Sequence, residues 1–519
     1  MPGRRRFCSA TVNALLALSA GPATSAALTV PRWQSDPFTL GVASGNPRAD
    51  RVVLWTRLAP RPLEPEGGMD PATIAVEWEL AADDQMRNIV RRGMEYATPQ
   101  WAHSIHAEVL DLAPATTYWY RFRSGDAVSP VGRTRTAPDP RSPNTRLRIA
   151  SCSCQHYEHG FYGAYAHMLR DDPDLVVHLG DYIYEVSFGA DPVRHHQGPE
   201  SHTLTDYRTR YAQYKQDRDL QAMHQHAPWL VTWDDHEVAN DYADLVSEYD
   251  DDPQWFAQRR AAAYRAYYEH MPLPRQSVPF GPAMKVYGDY SYGQLARICL
   301  LDGRQYRSPH PCPAPGKRGG NTVSSTCAGL RDPAQTMLGP RQENWLNGRL
   351  ASPRRARWNI IAQQTVMAYL DEDRGPDQQF WTDGWNGYPQ ARQRLLDGFT
   401  ANDVSNPVVL SGDIHAFIAS NLHQTPADPA SPAVACEITA TSITSNARTQ
   451  DFFENLAAGN PATRFVDGAH RGYARLDFTQ ESLSIALVGL DDARRADSPA
   501  RVLKQFTVEA GRPGLIDGA

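Results

Sequence analysis

Hydrophobic and polar residues alternate over short stretches of the first third of the chain, as in IAVEWELAAD and TYWYRFRSG. These stretches are separated by proline, glycine and aspartate, which is typical of β-strands with one buried face joined by turns. The pattern predicts an all-β domain over residues 36–138. A polar segment with two prolines follows at 139–146, and we predict a linker there.

After residue 146 the pattern changes to buried apolar runs separated by helical stretches. RLRIASC and LVVHLGD are predicted strands, and GFYGAYAHMLRD between them is a predicted helix. This order predicts a parallel sheet and an α/β fold for residues 147–485, followed by a C-terminal extension at 486–519. Further strands are predicted in PWLVTWDDHE, ARICLLDGRQ, RWNIIAQQT and PVVLSGDIH, and helices in 203–226, 253–270, 340–351 and 389–399.

Polar residues stand at the C-terminal ends of five predicted strands. They are Cys152, Cys154, Asp181, Asp234, Asp235, His236, Gln363, Gln364, Asp413 and His415. The C-terminal ends of parallel strands share one edge of a sheet, where ligands bind in α/β folds. A single Gly-Asp pair after a strand is more often a turn than a site, but five strands with this feature predict a functional site.

The acidic members of this set predict bound metal ions, because neighbouring carboxylates repel one another unless a cation lies between them. Asp181 is suited to bridge two ions, since a carboxylate has two oxygens. The phenol of Tyr184 and a cysteine thiolate suit ferric iron, which favours anionic ligands, whereas hard oxygen ligands suit Ca²⁺, Mg²⁺ or Mn²⁺. Two adjacent ions can hold a phosphate group and supply hydroxide for its attack.

The N-terminal segment GRRRFCSATVNALLALSAGPATSAA has a basic cluster, a short apolar stretch and small residues at its end. It predicts a secretory signal over residues 1–27 that is too short and too polar to span a membrane. Arg4, Arg5, Arg6 and Phe7 resemble the twin-arginine pattern, which makes the twin-arginine export machinery an expected partner. An ordinary secretory signal is the alternative. Both predict a periplasmic or extracellular protein without a transmembrane segment.

Composition and cysteine placement narrow the possibilities further. The formal net charge is −7 and no long basic run occurs, so we expect no stable nucleic-acid complex. No GxSxG motif occurs, which argues against a serine esterase, and the polar residues at strand ends argue against a purely adhesive protein.

Disulfides form outside the cytoplasm, and Cys312 and Cys327 share a loop rich in proline, glycine and serine, so they are the best candidate pair.

Five segments resemble the PhoD family of alkaline phosphatases and phosphodiesterases, in the order SCQHYEHGFYGAY, HLGDYIYE, WDDHEVANDY, LDGRQYR and LSGDIHAF. This family is a branch of the calcineurin-like metallophosphoesterases, and the resemblance extends from about residue 36 to about residue 480. It implies a four-layer α/β/β/α core after a fibronectin/Ig-like sandwich, with Fe³⁺ and one or two Ca²⁺ ions. It also implies hydrolysis of phosphate monoesters or diesters by a metal-bound hydroxide.

The resemblance assigns roles to residues of the first two segments. Asp181 is expected to be the bridging ligand and Tyr184 an iron ligand. Cys154 is assigned as the metal-binding cysteine because Gln155 follows it. Cys152 remains the alternative, since residues at positions i and i+2 of a regular strand point to one face. We expect Cys154 to be displaced where the strand turns into the following loop.

The later segments supply the remaining assignments. The resemblance implies metal ligation by Asp235, Asn240, Asp413 and His415, and makes His236 the substrate-facing histidine. Asp413 replaces a usual histidine, as expected for calcium. Arg304 in LDGRQYR is predicted to bind phosphate, with pairing to Asp302 as the alternative. Either Gln363 or Gln364 replaces another usual histidine, and the sequence does not distinguish them.

Overall fold

The computed structural model describes residues 31–352, 356–373, 375 and 377–518, so the predicted signal at 1–27 lies outside the described residues. The helices are α1 (Gly163–Asp171), α2 (Leu204–Lys215), α3 (Arg218–His226), α4 (Pro253–His270), α5 (Gly339–Leu350), α6 (Pro389–Ala401) and α7 (Gln450–Gly459). Within the described residues, none of these helices has both the length and the apolar character needed to cross a lipid bilayer.

The strands of the N-terminal region are β1 (Val42–Gly45), β2 (Val52–Arg57), β3 (Ile74–Ala81), β4 (Ile89–Ala97), β5 (Ser104–Val109), β6 (Thr117–Ser124), β7 (Ala127–Val128) and β8 (Gly132–Arg135). The next strands are β9 (Leu147–Cys152), β10 (Leu175–His178), β11 (Pro228–Val231), β12 (Gly288–Tyr292), β13 (Ala296–Leu300), β14 (Thr322–Ser324), β15 (Trp358–Ala362) and β16 (Gln379–Trp381). The last are β17 (Pro407–Ser411), β18 (Phe417–His423), β19 (Ala433–Thr439), β20 (Thr463–Asp467), β21 (Arg471–Phe478), β22 (Ser482–Leu490), β23 (Ala500–Glu509) and β24 (Arg512–Asp517).

Local sequence signals explain where the helices begin. α4 starts at Pro253, whose fixed φ suits a first helical turn, and the side chain of Asp252 accepts hydrogen bonds from backbone amides of that turn. The helical stretch predicted at 203–226 forms two helices instead of one. The reason is Asp217, whose side chain caps a new helix by accepting from the first backbone amides of α3.

Two large sheets form the body of the protein. The ten-stranded sheet has the order β24-β23-β22-β21-β9-β10-β11-β1-β2-β5, and the seven-stranded sheet has the order β12-β13-β15-β17-β19-β18-β20. β9, β10 and β11 are parallel in the first sheet, and β13, β15, β17 and β19 are parallel in the second. The structure therefore fits an α/β fold with an N-terminal β region, but its parallel strands are divided between two sheets.

The N-terminal strands contribute to two different sheets. β1 pairs with β11 in parallel and extends the ten-stranded sheet through β2 and β5, while β3, β4, β6, β7 and β8 form a separate five-stranded sheet. At the other end of the chain, the boundary predicted at residues 485 and 486 falls inside β22. β22, β23 and β24 continue the ten-stranded sheet to one of its edges, so residues 486–517 of the predicted C-terminal extension belong to that sheet.

Hydrophobic clusters join these sheets to each other and to the helices. One cluster contains apolar residues of β9, β10 and β11 together with residues of β13, β15 and β17, so it lies between the two large sheets. A second joins the other face of β9, β10 and β11 to α1–α4. A third joins β13, β15 and β17 to α5–α7. Successive side chains of a strand point to opposite faces, and burial on both faces explains why these strands are continuous apolar runs.

Candidate metal centre

A cavity of about 410 Å³ lies where β10, β11 and β17 end. Its acidic, amide and imidazole lining includes Asp181, Asp235, His236, Asn240, Asp241, Asp383, Asp413 and His415. β10 and β11 belong to the ten-stranded sheet, whereas β17 belongs to the seven-stranded sheet. The structure thus brings the predicted residues Asp181, Asp235, His236, Asn240, Asp413 and His415 together, but from two sheets packed face to face instead of one sheet edge.

The first ligand group consists of Cys154, Asp181 and His415, whose ligand atoms all lie within 4.8 Å of one another. The phenol of Tyr184 adjoins this group, because it donates to Oδ2 of Asp181 at 2.8 Å and lies 3.1 Å from Nε2 of His415. Nδ1 of His415 donates to the carbonyl oxygen of Asn446 at 2.6 Å, which leaves Nε2 as a possible ligand atom. A thiol, a carboxylate, a phenol and an imidazole are together a donor set that suits ferric iron.

Four predicted ligands have left-handed backbone conformations. The φ angle is 58° at Cys154, 55° at Asp181, 67° at Asp413 and 60° at His415. Non-glycine residues adopt this region uncommonly, and such strained positions cluster at functional sites where surrounding contacts hold them. At Cys154 the left-handed turn comes after β9 has ended at Cys152. Cys154 thereby leaves the strand, while Cys152 stays buried in the cluster that contacts α1.

Two further groups of carboxylates share Asp235. One group combines it with Asp234 and Asp413, and the other with Asp241 and Asp383, again with ligand atoms within 4.8 Å. Burial and neighbouring carboxylates raise the pKa of Asp241 and of Asp413 well above the usual range. Cations bound among these side chains favour the ionised carboxylates.

Two buried carboxylate oxygens have no hydrogen-bond partner within the described part of the chain, namely Oδ1 of Asp181 and Oδ2 of Asp234. Buried polar atoms are normally satisfied, so each of these oxygens marks a position where a cation fits. Burial and the adjacent carboxylates raise the pKa of Asp181 well above its usual range, against the opposing effect of His236. The residues present therefore fit bound metal ions.

His236 is paired with Glu185, whose Oε2 lies 2.7 Å from Nδ1 of the imidazole. Burial lowers the pKa of His236, but the carboxylate of Glu185 and two nearby aspartates outweigh this effect and raise it well above its usual value. Oε1 of Glu185 also accepts from the backbone amide of Asn240 at 2.8 Å. His236 thus lines the cavity with Nδ1 held by Glu185 and with Nε2 as its remaining nitrogen.

Arg304 does not have the position predicted for a phosphate ligand. Its guanidinium is buried, donates to both oxygens of Asp383 at 2.6 and 2.7 Å, and donates to Asp234 at 2.5 Å. Arg304 is not among the residues that line the cavity. Asp302, the alternative partner, accepts a hydrogen bond from the backbone amide of Arg304 at 3.1 Å. The catalytic assignment is corrected: Arg304 holds two carboxylates in place and neutralises part of their charge.

The glutamines after β15 also differ from the expectation of a ligand. The amide of Gln363 donates to Ser411 at 2.8 Å, and the side-chain oxygen of Gln364 accepts from the backbone of Gly303 at 3.0 Å. Neither glutamine lines the cavity. Both side chains form hydrogen bonds inside the protein that join the ends of strands.

Sequence reasoning missed Glu185, Asp241 and Asp383 as members of the site. Glu185 ends HLGDYIYE and Asp241 follows Asn240 in WDDHEVANDY, so both stand inside segments that the resemblance had already marked. Asp383 lies in FWTDGWNGYPQAR, between β16 and α6, where no buried strand precedes it. The aromatic, glycine-punctuated composition of that segment is the available signal, since it is typical of loops that border functional sites.

Two family profiles match the chain: PhoD-like phosphatase over residues 149–487, and the N-terminal domain of PhoD-like phosphatase over residues 23–138. The chain is 44% identical to alkaline phosphatase D of Bacillus subtilis (strain 168) over 459 residues, covering 86% of this chain and 77% of that protein. A solved structure of PhoD matches with a TM-score of 0.90 at 41% identity, covering 94% of this chain and 93% of that chain. The chain therefore belongs to the PhoD-like phosphatase family and is a hydrolase of phosphoric esters.

Proposed function

We propose that this protein is an exported enzyme that hydrolyses phosphate monoesters or diesters with a centre of Fe³⁺ and one or two Ca²⁺ ions. The observation that supports this most directly is the position of Asp181. It belongs to two ligand groups at once, one containing Cys154 and the other containing Asp235. A carboxylate shared in this way suits an ion on each side, as two-metal phosphoesterase chemistry requires.

Ligand chemistry divides the site into two halves. In this proposal iron is held by Cys154, Asp181, Tyr184 and His415, and calcium by Asp181, Asp235, Asn240 and Asp413, with Asp241 and Asp383 near a second calcium position. Thiolate and phenolate donors favour trivalent iron, whereas carboxylate and amide oxygens favour Ca²⁺. Bound ions supply positive charge to the phosphate ester and lower the pKa of water.

The charged imidazole of His236 donates a proton to the leaving alcohol in this mechanism. Glu185 holds Nδ1, so the proton moves from Nε2. The carboxylate of Glu185 raises the pKa of His236, which favours the protonated imidazole that this step needs. Arg304 contributes indirectly, because its guanidinium fixes Asp234 and Asp383 beside the ligand groups.

We also propose a domain architecture and a cellular location for the protein. A four-layer α/β/β/α core is supported by the cluster between the two large sheets and by the clusters that join each sheet to helices. We assign residues 36–138 to an N-terminal sandwich domain, 139–146 to a linker and 147–517 to the catalytic domain, because β22 spans the boundary expected at 485 and β23 and β24 continue its sheet. Residues 1–27 have the pattern of a twin-arginine signal, which supports a periplasmic or extracellular location.

The test combines metal analysis with hydrolysis of p-nitrophenyl phosphate and bis(p-nitrophenyl) phosphate at alkaline pH. We expect iron and calcium in the purified protein, loss of activity with a chelator, and recovery when Ca²⁺ is added. Asp413→Asn should raise the Ca²⁺ concentration needed for half-maximal activity. Asp428→Asn, a matched change at an exposed residue outside the cavity, should not.

Two outcomes would contradict separate parts of the proposal. Full activity of metal-free protein would remove the metal mechanism. Failure of the metal-loaded protein to hydrolyse any monoester or diester would remove the assigned reaction.

A further inference from the structure

One side of the cavity is apolar. The lining includes the apolar side chains of Val366, Leu370, Trp381, Ile414, Phe452 and Leu456, which we call the apolar wall. The ligand groups account for the polar side of the cavity but give no reason for this wall. A phosphate group and its cations need polar contacts, so the wall must serve another part of the substrate.

The apolar wall adjoins the reacting centre. Ile414 stands between Asp413 and His415 in the chain, and all three residues line the same cavity. The volume of about 410 Å³ falls within the roughly 300–1,000 Å³ of pockets that enclose drug-sized ligands. The cavity therefore has room for an organic group beside the phosphate.

The apolar wall is preformed, because α7 is anchored at both ends. Thr449 caps the helix by accepting from the backbone amide of Phe452. At the other end, Oδ1 of Asn460 accepts from the backbone amide of Asp371 at 2.9 Å, and its amide donates to the carbonyl of Leu456 at 2.8 Å. Phe452 and Leu456 are four residues apart and so share one face of α7. A rigid apolar surface binds an apolar group without an ordering cost.

The rim of the cavity offers few basic side chains to a second anionic group. Among the described residues that line it, Arg448 is the only lysine or arginine. Its guanidinium lies 4.4 Å over the ring of Phe452 and 3.8 Å from a carboxylate oxygen of Glu372. The charge of Arg448 is therefore balanced at the rim, and the other charged lining residues are mainly carboxylates.

From these observations we infer that the apolar wall is a subsite for the alcohol part of the ester, and that this part is an aryl or similarly apolar group. The inference rests on the phosphoesterase activity proposed above and names the substrate class that the cavity prefers.

The test is direct calorimetric titration of metal-loaded protein with phenylphosphonate and with methylphosphonate, which share the phosphonate and differ in the apolar group. We expect phenylphosphonate to bind about ten- to a hundredfold more tightly, because burial of its aromatic ring against apolar side chains adds to the binding free energy. Phe452→Ala should reduce this ratio several-fold. Phe280→Ala is the matched control, since Phe280 is 89% exposed and does not line the cavity.

Equal affinity of the wild-type protein for the two phosphonates, or no binding of phenylphosphonate, would overturn the inference. An unchanged ratio in Phe452→Ala, with the protein shown to be folded by its melting temperature, would overturn it as well. Calorimetry does not require turnover, so these outcomes are distinct from a failure to hydrolyse any ester, which would contradict the proposed function.

Discussion

The phenol of Tyr184 donates a hydrogen bond to Oδ2 of Asp181 at 2.8 Å, and the same phenol oxygen accepts from Ser445 at 2.7 Å. Burial raises the pKa of Tyr184 well above its usual value, and the charge of Asp181 raises it further. With only the Asp181 carboxylate beside it and no cation, the phenol of Tyr184 therefore keeps its proton. A cation held by the group of Cys154, Asp181 and His415, which we propose to be ferric iron, would supply the positive charge that favours the phenolate.

Tyr184→Phe tests this relationship. Phenolate bound to ferric iron absorbs visible light through charge transfer, so we expect the purified protein to be coloured and the variant to have a shifted or bleached band. Tyr182→Phe is the control, because the hydroxyl of Tyr182 contacts His224 at 2.7 Å and lies outside the cavity lining. A colourless, active wild-type protein without iron by elemental analysis would contradict the prediction.

Replacement of each cysteine by alanine separates Cys154 from Cys152. We expect Cys154→Ala to lose iron and most activity, since Cys154 belongs to the ligand group. Cys152→Ala should lower the free energy of unfolding by roughly 1 kcal/mol, because it removes a small buried side chain. Iron content and thermal unfolding of both variants provide the measurement. Retention of iron in Cys154→Ala together with its loss in Cys152→Ala would reverse the assignment.

Glu185→Gln tests the proton held by His236. The carboxylate of Glu185 raises the pKa of this imidazole, so its removal lowers that pKa and the proton is lost at a lower pH. If protonated His236 is needed for turnover, the basic limb of the profile of kcat/KM against pH moves to lower pH. Glu248→Gln is the control, because Glu248 accepts a hydrogen bond from the side-chain amide of Asn240 and not from His236. A basic limb that stays in place in Glu185→Gln would exclude this role.

The disulfide predicted between Cys312 and Cys327 is confirmed, with an S–S distance of 2.04 Å. The loop that it closes contains Gly320, whose backbone amide donates to Oδ2 of Asp241 at 2.9 Å. Replacing both cysteines by serine should cost about 3 kcal/mol of stability, as expected for a loop of this length. It should also raise the Ca²⁺ concentration needed for activity. The measurements are unfolding and calcium titration, and a reducing agent should reproduce the effect in the wild type but not in the variant.

The sequence predicted those parts of the fold that depend on local signals. The helix predicted at 253–270 matches α4, because its proline and capping aspartate are adjacent to it in the chain. Strand pairing depends on distant residues, and β18–β21 were not predicted. The apolar pattern likewise did not show the division of the parallel strands between two sheets, since continuous apolar runs indicate burial but not the neighbouring strand. Only the family resemblance implied two β layers, through its α/β/β/α core.

The same distinction applies to the candidate site. Asp181, Asp235 and Asp413 follow the ends of predicted strands, so the strand-end rule marked each of them as a site residue. The rule placed them at the edge of one sheet, whereas Asp413 reaches the cavity from the second sheet. Arg304 was misassigned because a sequence shows its charge but not its partners, of which Asp234 lies 70 residues away and Asp383 lies 79 residues away. The spatial neighbours of a buried charge are set by tertiary packing and cannot be read from its sequence neighbours.

The parallel pairing of β1 with β11 places Ser44 opposite Pro228 and Gly45 opposite Trp229. A polypeptide that began at residue 147 would expose this side of β11 as a free strand edge. Such edges recruit strands from other molecules and lead to aggregation. The N-terminal strands therefore protect the ten-stranded sheet from self-association through β11. A shortened enzyme without them would need another segment over that edge to avoid aggregation.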